Sequence, residues 1–235
     1  MTKLRSRVLL LFAMSVGLPL AMFQSIACAF SVSRPPVPDE VTQQSPTSHR
    51  YVIRIAVSQP ILAVYIDGRL SDTYPVALGK VETQTPIGHW HVVDKQVEWG
   101  NGFGSRWIGL DVPWGTYGIH GTNRPASIGQ YTSNGCIRMN NRDVERLYAI
   151  VPVGTPVVIT GNPLAHLRRL THGHIGADVQ MVQQRLQQLG YFRGICNGQF
   201  AISTQYALIL FQLAHRLPMD GAVDVDDYRA LGLTR

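Results

Sequence analysis

From residue 51 onward the apolar positions fall into short runs that alternate with polar residues or cluster between turn residues. Tyr51-Val52-Ile53-Arg54-Ile55-Ala56-Val57 alternates in part and is rich in β-branched side chains, the pattern of a half-buried strand. Runs over 61–66 and 70–78 flank Asp67-Gly68. Asp-Gly between two such runs predicts a tight hairpin, because its turn needs positive φ. Further short strands are expected over 90–93, 107–110 and 157–160. Many short strands punctuated by Gly and Pro predict a mainly β domain with a sandwich or barrel-like sheet. One or two short helices interrupt it. Asn141 is the expected N-cap of the clearer one, Asp143 and Glu145 suit its first turn, and Val144, Leu147 and Tyr148 make its apolar face.

Beyond residue 173 the period becomes helical. Val179, Val182, Leu186 and Leu189 recur at spacings of three and four, and Gly190 ends the run. Ala207, Leu210, Phe211 and Ala214 form a second face, and 224–231 predicts a third, short helix with Asp224 at its N-cap. A small all-α three-helix domain of this size has a marginal core by itself, which suits a binding appendage better than a second enzyme.

The N-terminus changes the picture from architecture to location. Lys3, Arg5 and Arg7 precede an apolar run over 8–23, and Ala27-Cys28-Ala29 places small residues for cleavage after Ala29. The run is short for a membrane span and holds Gly17 and Pro19. An uncleaved anchor and a lipid on Cys28 are the alternatives. Pro35, Pro36, Pro38 and Pro46 among Ser, Thr and Gln read as a tether. The expected organisation is a signal peptide over 1–29, a tether over 30–50, the β domain over 51–161, a linker over 162–173 and the helical domain over 174–235. Such a chain is exported to the periplasm or cell envelope, and it meets a membrane only through the signal segment before cleavage.

Charge then narrows the partners. Charged residues are only 15% of the 235, with a net charge of +6. An anionic polymer or surface suits that balance; no Lys/Arg cluster with interleaved aromatics points to nucleic acid. Of the three cysteines, Cys28 lies in the leader, while Cys136 and Cys196 fall in different expected domains. That placement disfavours a disulfide between them.

The chemistry concentrates between His120 and Arg138. Cys136 follows Gly135 and precedes Arg138 by two, with His120 upstream. A thiol needs a base or a lowered pKa to attack, and His120 supplies the base and later a proton for a leaving amine. Gly135 allows close approach of backbone to substrate, backbone N–H groups around Gly135 and Cys136 suit an oxyanion, and the planar fork of Arg138 matches a carboxylate. Taken singly, Cys136 reads as a small buried hydrophobe and His120 as a bonded loop residue; together, with Gly135 and Arg138, they read as a nucleophile site. His89, His91, His120 and Cys136 are conceivable zinc ligands, but without a compact ligand motif no metal is expected. Asp94, Glu98 and Asp111 read as solvated charges. Trp99, Phe103, Trp107 and Trp114 read as core or cleft packing, and Cys196 as structural or incidental.

The same residues carry a family resemblance. Tyr117-Gly118-Ile119-His120-Gly121-Thr122, Ser127-Ile128-Gly129 and Ser133-Asn134-Gly135-Cys136-Ile137-Arg138-Met139, continued by Asn141 and Asp143, resemble the catalytic motif of L,D-transpeptidases (the YkuD domain). Thr85-Pro86-Ile87-Gly88 and Gly104-Ser105-Arg106-Trp107 resemble that family's upstream segments. The helical domain is similar to a three-helix peptidoglycan-binding domain through Leu189-Gly190-Tyr191-Phe192, Phe211-Gln212 and Asp220-Gly221, while Cys196 and Ala201 depart from its pattern. The resemblance implies a Cys136 nucleophile acting on the tetrapeptide stem of peptidoglycan, with release of D-alanine. It implies that His120 is oriented by the Gly121 carbonyl and that Arg138 lies near the substrate carboxylate. It also implies that Ser133 holds the loop, that Tyr117 and Gly135 belong to the substrate site, and that no metal or organic cofactor takes part. Peptidoglycan stems and glycan are the implied partners, and carbapenem-type β-lactams are expected to acylate Cys136. Water as acceptor would make the enzyme an L,D-carboxypeptidase. A non-catalytic wall-binding protein is the alternative of another class, although it would not need Cys136, His120 and Arg138 together.

Overall fold

The structure is a computed structural model that describes residues 49–235 apart from Trp99 and Asn101. The expected signal peptide and most of the tether lie outside the described residues. Among the described residues, ten strands and four α-helices follow in order: β1 (Tyr51–Ala56), β2 (Ile61–Ile66), β3 (Arg69–Pro75), β4 (Leu78–Gly79), β5 (Gly88–Val97), β6 (Arg106–Leu110), β7 (Tyr117–His120), β8 (Tyr131–Ser133), β9 (Ile137–Arg138), α1 (Asn141–Ile150), β10 (Pro156–Thr160), α2 (Ala177–Gln188), α3 (Ile202–His215) and α4 (Val225–Ala230).

Eight strands form one sheet in the order β3-β2-β1-β10-β5-β6-β7-β9, and β4 pairs with β8 in a separate two-stranded ribbon. The sheet curls at β5, whose first half pairs with β10 and whose second half pairs with β6 after a register shift at Val92/Asp94. Such a shift bends the strand and increases its twist. Asp67 and Gly68 take φ of 52° and 80°, as the predicted hairpin between β2 and β3 requires. The expected strand over 70–78 divides. Val76 and Ala77 leave β3, because Ala77 exchanges both backbone hydrogen bonds with Arg138 at 2.8 and 2.9 Å. That exchange ties the segment after β3, at one edge of the sheet, to β9 at the other edge.

Alternation decides what is buried. Ile53 and Ile55 of β1 and Leu62 and Val64 of β2 point inward, joined by Val157 and Ile159 of β10, Ile119 of β7 and Ile137 of β9. Helix α1 covers β6 and β7 and buries Val144 and Leu147. It starts one residue earlier than expected: Asn140 is the N-cap and Asn141 is its first residue. A second apolar cluster holds Val179, Val182, Leu186, Leu208, Phe211 and Tyr228 of the helical region. Asp224 caps α4 as expected, in a reciprocal pair of bonds with Asp227. Part of the stretch read as a linker belongs to this core. Leu170 is fully buried, bonded through its backbone to Val223, and Leu164 packs in the same cluster.

The two clusters meet. Gln199 Nε2 donates to Pro113 O at 3.2 Å, Ala177 packs against the β core, and the backbone of Gly198 rests on the Trp114 ring, where a Cβ would overlap it. Trp114 is itself buried edge-on against Trp90, at 5.2 Å between ring centres. The helical region therefore braces the turn that leads into β7.

Candidate active site

Strand pairing explains why residues far apart in sequence share one face. β7 and β9 are parallel neighbours, with Ile119 opposite Ile137 and His120 opposite Arg138. Side chains alternate along a strand, so Cys136, two before Arg138, lies on the His120 side, while the two isoleucines face the core. His120, Cys136 and Arg138 line one cleft of about 520 Å³ with Phe103, Arg124 and Asn134.

The loop carrying Cys136 is held by Ser133. Its hydroxyl donates to Cys136 O at 2.6 Å and accepts from Gly135 N at 3.0 Å. Its carbonyl accepts from Lys80 N at 3.2 Å and from the Thr83 hydroxyl at 3.1 Å. Gly135 takes φ of 109°, and an added Cβ would stand 2.6 Å from the Tyr117 ring. The Gly135 amide is thus engaged, so of the two amides expected to face an oxyanion only that of Cys136 is left for the task. Tyr117 lies beneath Gly135 and does not line the cleft.

His120 is buried between Phe103, with ring centres 4.9 Å apart, and a stacked Trp107 at 5.9 Å. Its Nδ1 meets Gly121 O at 2.5 Å. A carbonyl only accepts, so in the neutral ring Nδ1 carries the proton and Nε2 keeps its lone pair. The Gly121 carbonyl is fixed in turn. It belongs to the same planar peptide unit as Thr122 N–H, which donates to Asn141 Oδ1 at 3.1 Å; Ser105 N donates to the same oxygen at 3.2 Å. Asn141 therefore sets the tilt of the peptide that holds the imidazole. Sequence reasoning read Asn141 as a helix cap, and the tandem Asn140-Asn141 offers no local signal that separates the two roles.

Electrostatics favour neutral partners at rest. Burial pulls the His120 pKa down to about 4, with a smaller push in the same direction from Arg138, opposed by hydrogen bonds from the ring to the backbones of Gly121 and Phe103. Burial pushes the Cys136 thiol up, against smaller downward pulls from the Gly118 backbone and the Arg138 charge. The imidazole is then unprotonated above about pH 4, and the thiol keeps its proton at neutral pH. Iodoacetamide alkylation of Cys136, read by mass spectrometry in a Cys196→Ala background, is expected to rise steadily with pH through neutrality. A plateau between about pH 5 and 7 would mean a thiolate–imidazolium pair at rest instead.

The other expectations divide. Cys136 and Cys196 are both free thiols. Cys196 lies in the helical region, its sulfur 3.6 Å from Gln187 Oε1. His91 pairs with Asp111 at 3.1 Å on an exposed strand and does not join His120 and Cys136. Of the aromatic residues singled out, Trp107 and Trp114 are core residues and Phe103 lines the cleft; Trp99 lies outside the described residues.

A family model described as "L,D-transpeptidase catalytic domain" matches residues 50–159, and one described as "Putative peptidoglycan binding domain" matches 175–231. The chain is 43% identical over 129 residues to "Putative L,D-transpeptidase YkuD" of Bacillus subtilis, covering 55% of this chain and 74% of that relative. It is 47% identical over 117 residues to the protein of the same name from Bacillus licheniformis, covering 50% and 70%. Among solved structures, L,D-transpeptidase 3 from Mycobacterium tuberculosis in complex with a faropenem-derived adduct aligns at 21% identity and a TM-score of 0.43. That alignment covers 48% of this chain and 61% of that one. On the matched catalytic segment and the identity to these relatives, the chain belongs to the L,D-transpeptidase family.

Proposed function

We propose that the protein catalyses L,D-transpeptidation on peptidoglycan tetrapeptide stems, outside the cytoplasm, through an acyl-thioester on Cys136. His120 Nε2 takes the thiol proton as sulfur attacks the carbonyl joining the third stem residue to the terminal D-alanine. The Cys136 amide receives the oxyanion, and Arg138 holds the terminal carboxylate of the donor. The C–N bond then breaks, and the imidazolium returns its proton to the departing D-alanine amine. An acceptor amine next attacks the thioester. The new C–N bond forms, the C–S bond breaks, the amine proton passes to His120, and the thiol recovers a proton from it. The energy of the old peptide bond is kept in the thioester, which suits an enzyme that works without nucleotide triphosphates. The expected export signal, the net positive charge and the peptidoglycan-binding segment support the same location.

The observation that carries this reading is the β7–β9 register, which puts thiol, imidazole and guanidinium on one face of one cleft. Incubation with disaccharide-tetrapeptide tests it by mass spectrometry. Dimer lacking one D-alanine is the expected product. Tripeptide alone would mean that water is the acceptor, and no change with folded protein would sink the enzymatic reading.

Asn141 acts in this scheme as a positioning residue. Asn141→Leu removes the acceptor of Thr122 and Ser105, and acylation is expected to fall about 100-fold through misplacement of the imidazole. Asn141→Asp keeps an oxygen at that place and is expected to recover most of the rate. Equal losses in both variants, with unchanged melting, would contradict the positioning role.

A further inference from the structure

A second cavity, of about 310 Å³, lies between the sheet and the helical region. One wall is the 81–86 loop with Glu82, the other is formed by Arg168 and the 173–178 segment, and Trp114 and Tyr117 form the floor. It meets the catalytic cleft at Asn134, which lines both. The sill between the two is short. Thr116 faces the cleft, with its carbonyl 4.0 Å from Cys136 Sγ, while its neighbour Tyr117 faces the crevice. Tyr117, expected to be a substrate residue, reaches ligand only if ligand enters here.

The two spaces differ in charge. The cleft is lined by Arg124 and Arg138 and by no carboxylate. In the crevice Arg168 is closed on Asp178 at 2.7 Å, which leaves Glu82 as its uncompensated charge. The cationic cleft suits the carboxylate end of a donor stem; the crevice suits a segment that carries an amine. Both walls are needed to make it, and the helical wall from Ile175 to Asp178 belongs to the segment matched as peptidoglycan-binding.

We propose that the crevice between the sheet and the helical region is the acceptor subsite. It holds a second, amine-bearing stem peptide and delivers its amine over Asn134 to the thioester on Cys136. This inference rests on the transpeptidase reading. The helical region then acts as one wall of the second substrate's site, beyond its part in holding the enzyme on the wall polymer.

Glu82 and Ile175 are exposed and stand on opposite walls, outside the cleft. The test uses full-length Glu82→Lys and Ile175→Arg with a tetrapeptide donor and a tripeptide acceptor bearing diaminopimelate at its third position. D-alanine release without acceptor reads acylation; the ratio of dimer to hydrolysed donor reads capture. Each variant is expected to lower that ratio about five- to tenfold at subsaturating acceptor, a loss recovered at higher acceptor concentration, with acylation unchanged. Glycinamide, too small to span the crevice, is expected to capture the acyl group equally well in wild type and variants. Unchanged dimer ratios in both variants would overturn the proposal, as would a fall in acylation, which would make the crevice a donor site. Wild type that releases D-alanine but forms only tripeptide would overturn the acceptor site and leave the acylation step standing. Wild type that releases no D-alanine would sink the transpeptidase reading and this inference with it.

Discussion

Cys136→Ala is expected to abolish D-alanine release, lowering turnover by at least about 10⁴-fold, because no other group in the cleft can form the thioester. Intact-mass measurement should show a tetrapeptide-derived adduct, and likewise a carbapenem adduct, on the wild type and on neither site of the variant. The fold should be little affected. The sulfur faces an open cleft, so its loss makes no closed cavity, and the melting midpoint should correspond to a change below about 1 kcal/mol. Binding to sacculi should persist, because the helical region has its own apolar core. Residual turnover at the wild-type level would remove Cys136 from the mechanism. Adduct formation at Cys196 would mean that two thiols compete, which their separation in the fold argues against.

Gly135→Ala has the second largest expected effect. A φ of 109° already costs an alanine about 1–3 kcal/mol. The added methyl also stands 2.6 Å from the Tyr117 ring and 3.2 Å from Gln84 O. Neither neighbour yields easily. Tyr117 packs against the sheet core, and the 81–86 loop is tied through Thr83 to Ser133. The chain must therefore shift at the residue next to the nucleophile, and a displacement of about 1 Å lowers acylation on the order of 100-fold. Stopped-flow acylation with a carbapenem would check this, with thermal melting alongside. A variant that melts lower but acylates normally would show that the methyl is absorbed away from Cys136.

Much of this architecture is legible in the sequence where neighbours in the chain decide the structure. The Asp67-Gly68 turn, the alternation in β1, the helical period of α2 and the Asp224 cap all depend on residues within a few positions of one another. In α3 the expected face is buried only at Ala207 and Phe211, while Leu210 and Ala214 are exposed and Leu208 and Gln212 turn inward in their place. Where partners are remote, the local pattern misleads. The apolar run over 70–78 reads as one strand, yet the bonds from Ala77 to Arg138, sixty-one positions away, break it. The site shows the same division. His120, Cys136 and Arg138 stand out as residue types at informative spacings, and the resemblance gives Gly121 its part. That Asn141 fixes the Gly121–Thr122 peptide depends on the packing of α1 against the sheet. That Tyr117 turns away from the cleft depends on the helical region and on Gly135 above it. Neither has a counterpart in periodicity or motif.

The seat of Gly198 on Trp114 bears on how such chains are assembled over evolutionary time. Domains joined by a free tether can be exchanged with little regard for sequence on either side. Here the backbone of the helical region touches an indole ring three residues before the first residue of β7, the strand that ends in His120. A transplanted three-helix segment with any side chain at that place would push the turn, and with it the strand. Recombination at the 162–173 stretch is thus constrained to donors with a glycine there, and the two parts must change together.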